Sequence, residues 1–212
     1  MFIVCYYVSW LLYFQLFQRP LFILYNRRLS SRAVTPKDVW DMSRFGFKTD
    51  IIVCAYLTSL PLLAGIAQAF IPYVFLPKFM VCYNVAAAIV IGLVTVSDTA
   101  LYSFWQHKID ASVLAYLKTL KWAVASVSGL YIAGAALALI TLSAVIYLWL
   151  EWGCDITMGD APYVAHGIAE KIITAITGTA LAGTAVVLIR GLRRRPNNPS
   201  LSYYSNNQFF NH

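Results

Sequence analysis

Two long runs of this chain contain no charged side chain, and they restrict its fold more than any other feature. They cover residues 51–77 and 122–150. A helix needs about 20 apolar residues to cross the hydrocarbon core of a bilayer, where its backbone groups must be hydrogen-bonded within the segment. Both runs exceed that length, so we expect them to contain transmembrane helices.

The composition agrees with a membrane location, since 60% of the 212 residues are hydrophobic and 12% are charged. A typical soluble domain has about 25% charged residues. We therefore predict an all-α polytopic membrane protein with five transmembrane helices and two short interfacial helices. Residues 1–195 would form the membrane domain and 196–212 the start of a linker to an extracytoplasmic domain. The expected spans are about 2–25, 51–71, 79–106, 122–150 and 170–190.

The two interfacial helices are expected at 37–50 and 110–121. Thr35 followed by Pro36 and Asp38 has the pattern of an N-cap, a proline in the first helical position and an acid in the first turn. Charged and aromatic residues alternate after it, as is typical of a helix lying at the membrane surface. The second expected span contains a proline, and there we predict a kink at Pro61.

Small residues recur at every fourth position in the last two spans, which allows close approach of helix backbones. This pattern fits packing within the chain or a dimer interface, and the first interpretation is favoured. The positions are Gly134 and Ala138 in the fourth span, and Thr174, Gly178 and Ala182 in the fifth.

The four cysteines lie far apart and lack the spacing of a zinc site or a disulfide framework. The net charge of +7 comes from basic residues at the ends of apolar segments, where they would meet phosphate headgroups. We therefore expect anionic membrane lipids as partners rather than nucleic acid, and no cofactor bound to this chain.

An aspartate near the end of the third span raises the main functional question. A carboxylate at the bilayer centre costs about 2.5–3.5 kcal/mol on insertion scales, and Asp98 is deep in that span. Three interpretations remain open: internal pairing that fixes helix packing, a proton relay or ion coupling, and a site for lipid headgroups. The candidate interface cluster comprises Lys48, Asp50, Asp98, Tyr102, Trp105, Lys108 and Asp110.

Three segments carry a resemblance to a known family: residues 46–57, 97–126 and 191–212. They resemble the N-terminal membrane part of the lipoteichoic acid (LTA) synthase family, whose members are called sulfatases or phosphoglycerol transferases. One departure is Lys-Thr at positions 48 and 49, where Arg-Phe is usual in the family. The matching positions are Gly46, Lys48, Asp50, Asp98, Tyr102, Trp105, Lys108, Asp110, Tyr116 and Lys118.

The resemblance implies a multi-pass protein of the bacterial cytoplasmic membrane with its N-terminus in the cytoplasm. It also implies an outward-facing catalytic domain of the alkaline phosphatase type, with a divalent metal and a threonine nucleophile. The residues expected after the last span lack such a metal-binding set, so we expect the chain to be the membrane portion of a longer enzyme, cut at His212, or a truncated gene product. The excess of Lys and Arg on the side of the C-terminus points to the opposite orientation by the positive-inside rule, and the family topology is preferred.

The function implied by the resemblance is anchoring and positioning of a lipid donor for the outward-facing domain, and whether the chain is itself part of an enzyme stays open. The alternative is a small transporter or channel subunit that uses Asp98 for ion or proton coupling. Transporters usually place polar groups at broken helices near the midplane, whereas here the charges are expected at one face.

Overall fold

The computed structural model describes residues 2–29, 35–71, 76–105, 128–158 and 168–193, which are helical apart from single residues at helix ends. No strand occurs in these ranges, in agreement with the predicted all-α class. A π-helical turn, Phe14–Gln18, joins the first two helices, and a 3-10 turn, Arg27–Leu29, ends the second. The helices are α1 (Phe2–Tyr13), α2 (Arg19–Asn26), α3 (Pro36–Phe70), α4 (Leu76–Trp105), α5 (Gly129–Met158) and α6 (Ile168–Arg193).

Three segments of these helices are long and apolar enough to cross a membrane: Pro36–Gln68, Leu76–Ala100 and Gly129–Thr157. Their outward surfaces are apolar, as for Leu137 and Ile140 on α5, which are 66% and 67% exposed. Large apolar side chains in contact with water would be unfavourable, whereas lipid solvates them well. These features indicate a membrane protein. Helix α6 contains a shorter apolar stretch, Lys171–Val187.

The interfacial segment expected at 37–50 is not a separate helix. It forms the first part of α3, which continues for 35 residues. Thr35 caps the helix as predicted, because its side chain accepts a hydrogen bond from the Asp38 N–H and the Asp38 carboxylate accepts one from the Thr35 N–H. Beyond Pro36 in the first turn, Gly46 is the weakest helix former before Asp50, and one glycine costs only about 1 kcal/mol. The second expected interfacial helix and the linker at 196–212 lie outside the described residues.

The helix assignment of α3 continues through Pro61, the position where the sequence predicts a kink. A proline has no N–H, so the carbonyl of Leu57, four residues earlier, loses its usual partner. The Tyr83 hydroxyl of α4 donates a hydrogen bond to that carbonyl at 2.5 Å. A side chain of the neighbouring helix therefore replaces the bond that Pro61 cannot make.

The π-helical turn between α1 and α2 also precedes a proline. Pro20 cannot donate to the carbonyl four residues earlier, and the Arg19 N–H reaches back five residues to the carbonyl of Phe14. Such π turns accommodate one extra residue within a continuous helix. The turn thus carries the helical chain past Pro20 as far as Asn26.

Helix α1 is at the centre of the packing and contacts both α3 and α5. Its buried face is aromatic, and the Trp10 ring packs edge-on against Tyr6 and Tyr13 and parallel to Phe14. The indole N–H of Trp149 on α5 donates to the carbonyl of Ser9 at 3.1 Å. Buried aromatic residues provide large contact areas, so α1 holds the neighbouring helices together.

A buried glutamine closes the connection between α3 and α4. The Gln68 side chain is 1% exposed, and its carbonyl oxygen accepts a hydrogen bond from the Leu76 N–H at 2.9 Å. Its amide donates to the carbonyl of Ile71 at 3.4 Å. Backbone groups at two helix ends are satisfied in this way.

The small residues predicted to mediate packing fall into two groups. A Cβ atom on Gly178 of α6 would lie 2.5 Å from Ile66 of α3, so this glycine packs within the chain. Around Gly134 of α5, no atom of the described residues lies within 4 Å of such a Cβ position. Helix α5 approaches α4 at Gly92 instead, where an added Cβ would lie 2.5 Å from the Ser143 hydroxyl oxygen.

Candidate interface site

The charged residue in the first apolar segment pairs with the acid that precedes the second. Arg19 begins α2, and its Nη2 lies 2.8 Å from both carboxylate oxygens of Asp50 on α3. Its Nε donates to Oδ2 at 3.2 Å. The Gln15 amide, one turn before Arg19, donates to the same carboxylate. Asp50 is 8% exposed, and three donor groups compensate for the loss of water around its charge.

The Arg19 guanidinium lies over a gap in α3 that a glycine provides. A Cβ atom on Gly46 would overlap the guanidinium, and the Nη1 group donates to the carbonyl of Met42 at 3.3 Å. Met42, Gly46 and Asp50 are spaced by four residues and therefore lie on one face of α3. The first and last residues of the Gly-x-Lys-x-Asp pattern, Gly46 and Asp50, thus both contact an arginine from another helix.

Sequence reasoning missed both Arg19 and Gln15. A signal was present, because Arg19 is the one charged residue in the apolar segment 2–25, and a charge in such a segment usually has a partner. Because most donors of Arg19 already face Asp50 and Met42, the group formed by Gln15, Arg19 and Asp50 is suited to hold α2 against α3. Arg19 itself has few donors left to bind an anion.

The second candidate segment is the end of α4. Asp98 is half-buried, and Tyr102 is 2% exposed. The Tyr102 ring packs edge-on against Phe22 of α2, with 4.9 Å between ring centroids. The buried Asn26 amide, also on α2, donates to the carbonyl of Thr99 at 3.1 Å. This part of α4 is therefore fixed to α2 by an aromatic contact and a buried hydrogen bond.

The remaining predicted site residues lie on the surface of α3, at the end of α4 or outside the described residues. Lys48 is exposed on α3, and Trp105 is the last residue of α4. Lys108 and Asp110 lie outside the described residues. The structure thus relates two cluster members through α2: Asp50 on α3 contacts Arg19, and Tyr102 on α4 contacts Phe22.

A second buried polar cluster lies toward the other end of α4. The Tyr6 hydroxyl donates to the side-chain oxygen of Asn84 at 2.8 Å. The Asn84 amide donates to the carboxylate of Glu151 at 3.0 Å and contacts the Cys154 sulfur at 3.6 Å. Asn84 is fully buried, so its hydrogen bonds replace those to water and connect α1, α4 and α5.

No group of three or more His, Cys, Asp and Glu side chains suitable for a metal ion occurs among the described residues. The fold defines an all-helical membrane protein with one buried ion pair in its described part. Comparisons with protein-family models, with curated proteins and with solved structures gave no match.

Proposed function

We propose that the chain is the membrane domain of an LTA synthase-like sulfatase or phosphoglycerol transferase of the bacterial envelope. In this proposal, five helices cross the cytoplasmic membrane with the N-terminus inside. The interface cluster positions a lipid donor below an outward-facing catalytic domain, which carries the divalent metal. Donor positioning of this kind lowers the entropic cost of the transfer step.

The supporting observation is the common attachment of two sequence segments to α2. Gly46 and Asp50 contact Arg19, and Tyr102 contacts Phe22. Two of the segments that carry the family resemblance, 46–57 and 97–126, therefore each have a residue in contact with the short helix α2. Exposed Lys48 is a group that could face a lipid headgroup, and half-buried Asp98 lies one turn before Tyr102 on α4.

The first test concerns orientation and the reading frame. A reporter enzyme that is active only outside the cytoplasm is fused after His212, and activity is expected. The reading frame that contains these residues should continue into a domain with a metal-binding Asp and His set. An inactive but well-expressed fusion, or a following domain without such ligands, contradicts the proposal.

The second test concerns Asp98 in the product of the whole reading frame. The Asp98→Asn variant should transfer labelled glycerol phosphate from phosphatidylglycerol, or hydrolyse a sulfate ester, at least about tenfold more slowly, as expected when a positioning contact is lost. Asp155→Asn, an exposed acid of α5, serves as the control with unchanged turnover. Equal activity of both variants at equal expression would remove Asp98 from the proposed site.

The alternative, a transporter or channel subunit, is favoured by one observation. Buried polar residues follow one face of α4, where Asn84, Thr95 and Thr99 are at most 7% exposed. The fully buried Trp10 ring belongs to the core between α1 and its neighbours, which speaks against a continuous water path. Proton or ion flux into vesicles that contain the chain, abolished by Asp98→Asn and kept by Asp155→Asn, would favour this alternative.

A further inference from the structure

An apolar cavity of about 170 Å³ lies between α1, α3 and α6. Ile3 and Tyr7 line it from α1, Ala55 and Leu62 from α3, and Leu181 from α6. The side chains of the three helices leave an open groove at the surface of the bundle here. In a membrane, such a groove faces lipid rather than water.

The hydroxyl groups in the groove already donate their hydrogen bonds within the protein. Thr58, Ser59 and Thr184 each donate to a carbonyl of their own helix at 2.6–2.7 Å. The Tyr7 hydroxyl donates to a carbonyl of α3 at 3.1 Å. Because each donor already has an acceptor, the lining offers mainly methyl and methylene groups. The occupant that fits is a hydrocarbon chain.

Two basic residues continue the same face of α3 toward its N-terminus. Lys48 precedes Ala55 by seven residues, and Arg44 precedes it by eleven, so both lie within about 20° of the groove around the helix axis. Both side chains are exposed. Among the described residues neither has a carboxylate partner, since the one ion pair there joins Arg19 to Asp50.

The distance along α3 matches one leaflet of a bilayer. Lys48 and Leu62 are 14 residues apart, or about 21 Å at 1.5 Å per residue. Half of the hydrocarbon core is about 15 Å thick, and a lysine side chain extends several ångströms further to the headgroup level. A lipid with its phosphate near Lys48 would therefore place an acyl chain alongside Ala55 and Leu62.

We propose that this groove binds one acyl chain of an anionic phospholipid whose phosphate contacts Arg44 and Lys48. The lipid is a bound component of the fold: the two basic side chains hold its phosphate, and the apolar groove holds its acyl chain. The proposal shares Lys48 with the interface cluster but depends neither on Asp98 nor on a catalytic domain. It therefore goes beyond the proposed function and can fail separately from it.

The test uses the full chain, purified in detergent and mixed with equal amounts of phosphatidylglycerol and phosphatidylcholine. Native mass spectrometry then counts the lipids that remain bound. The wild-type chain should retain phosphatidylglycerol preferentially, and Arg44→Gln with Lys48→Gln should reduce that preference by about fivefold for each charge removed. The control is Lys78→Gln, an exposed residue in the first turn of α4, and it should leave the preference unchanged.

A second pair of variants tests the groove itself. Ser59→Trp fills the space and should remove the retained lipid, whereas Leu63→Trp, on the exposed surface of the same helix, should leave it bound. Thermal unfolding of both variants establishes that they are folded. Equal retention of the two lipids by the wild-type chain, or equal retention by both Trp variants, would overturn the proposal. A change from dimer to monomer in Ser59→Trp with unchanged bound lipid would assign the groove to a second copy of the chain and overturn it as well.

Discussion

The guanidinium of Arg19 occupies the space in which a side chain at position 46 would begin. Gly46 therefore allows the arginine to reach Asp50, one turn further along α3. The two residues lie on different helices, and their contact depends on the absence of a Cβ atom.

We expect Gly46→Ala to destabilise the protein by about 2 kcal/mol, because the methyl group displaces the guanidinium from a packed site. The matched control is Gly134→Ala on α5, where a Cβ meets no described atom within 4 Å. That change should be neutral or stabilise the helix by up to about 1 kcal/mol. Denaturant unfolding in micelles compares the two, and equal effects would show that Arg19 does not depend on Gly46.

Removal of Asp50 should be more harmful than removal of both members of the ion pair. Asp50→Ala leaves the buried Arg19 charge without its partner, at a cost of about 3–5 kcal/mol. In the double variant with Arg19→Met the costs should not add, so the coupling energy between the two positions should exceed about 1 kcal/mol. Asp155→Ala, an exposed acid, should change stability by less than about 0.5 kcal/mol. Additive effects of the two substitutions would contradict the described contact.

The Tyr83 hydroxyl should stabilise the protein only because residue 61 is a proline. Tyr83→Phe leaves the Leu57 carbonyl without its donor and should cost about 1 kcal/mol. When Pro61→Ala is present, the new N–H can reach that carbonyl within the helix, and Tyr83→Phe should then cost close to nothing. Unfolding of the four variants measures this difference, and equal costs in both backgrounds would refute the explanation.

The Ser143 hydroxyl is buried at the contact between α4 and α5 and has no hydrogen-bond partner among the described residues. Ser143→Ala removes this unsatisfied group from the side of α5 that faces Gly92. We expect a stability gain of about 1 kcal/mol. Thr141→Ala, on an exposed position of the same helix, provides the comparison and should change stability by less than about 0.5 kcal/mol. A loss of stability in Ser143→Ala would point to a partner of that hydroxyl.

The helical class, the Thr35 cap and the packing role of Gly178 could be predicted from the sequence because each depends on local composition or spacing. The pairing of Arg19 with Asp50 could not, since the two residues are 31 positions apart and a pattern along one helix does not reveal its neighbour. For the same reason, the continuity of α3 was missed. The surface pattern of 37–50 resembles an interfacial helix, but whether it ends before Asp50 depends on contacts with α2.

The length of α3 has a mechanical consequence. Its 35 residues extend for about 52 Å, whereas the hydrocarbon core is about 30 Å thick. The surplus must project from the membrane or be taken up by tilt. The helix is continuous through Gly46 and Pro61, so its charged first turns and Gln68, near the opposite end, belong to a single element.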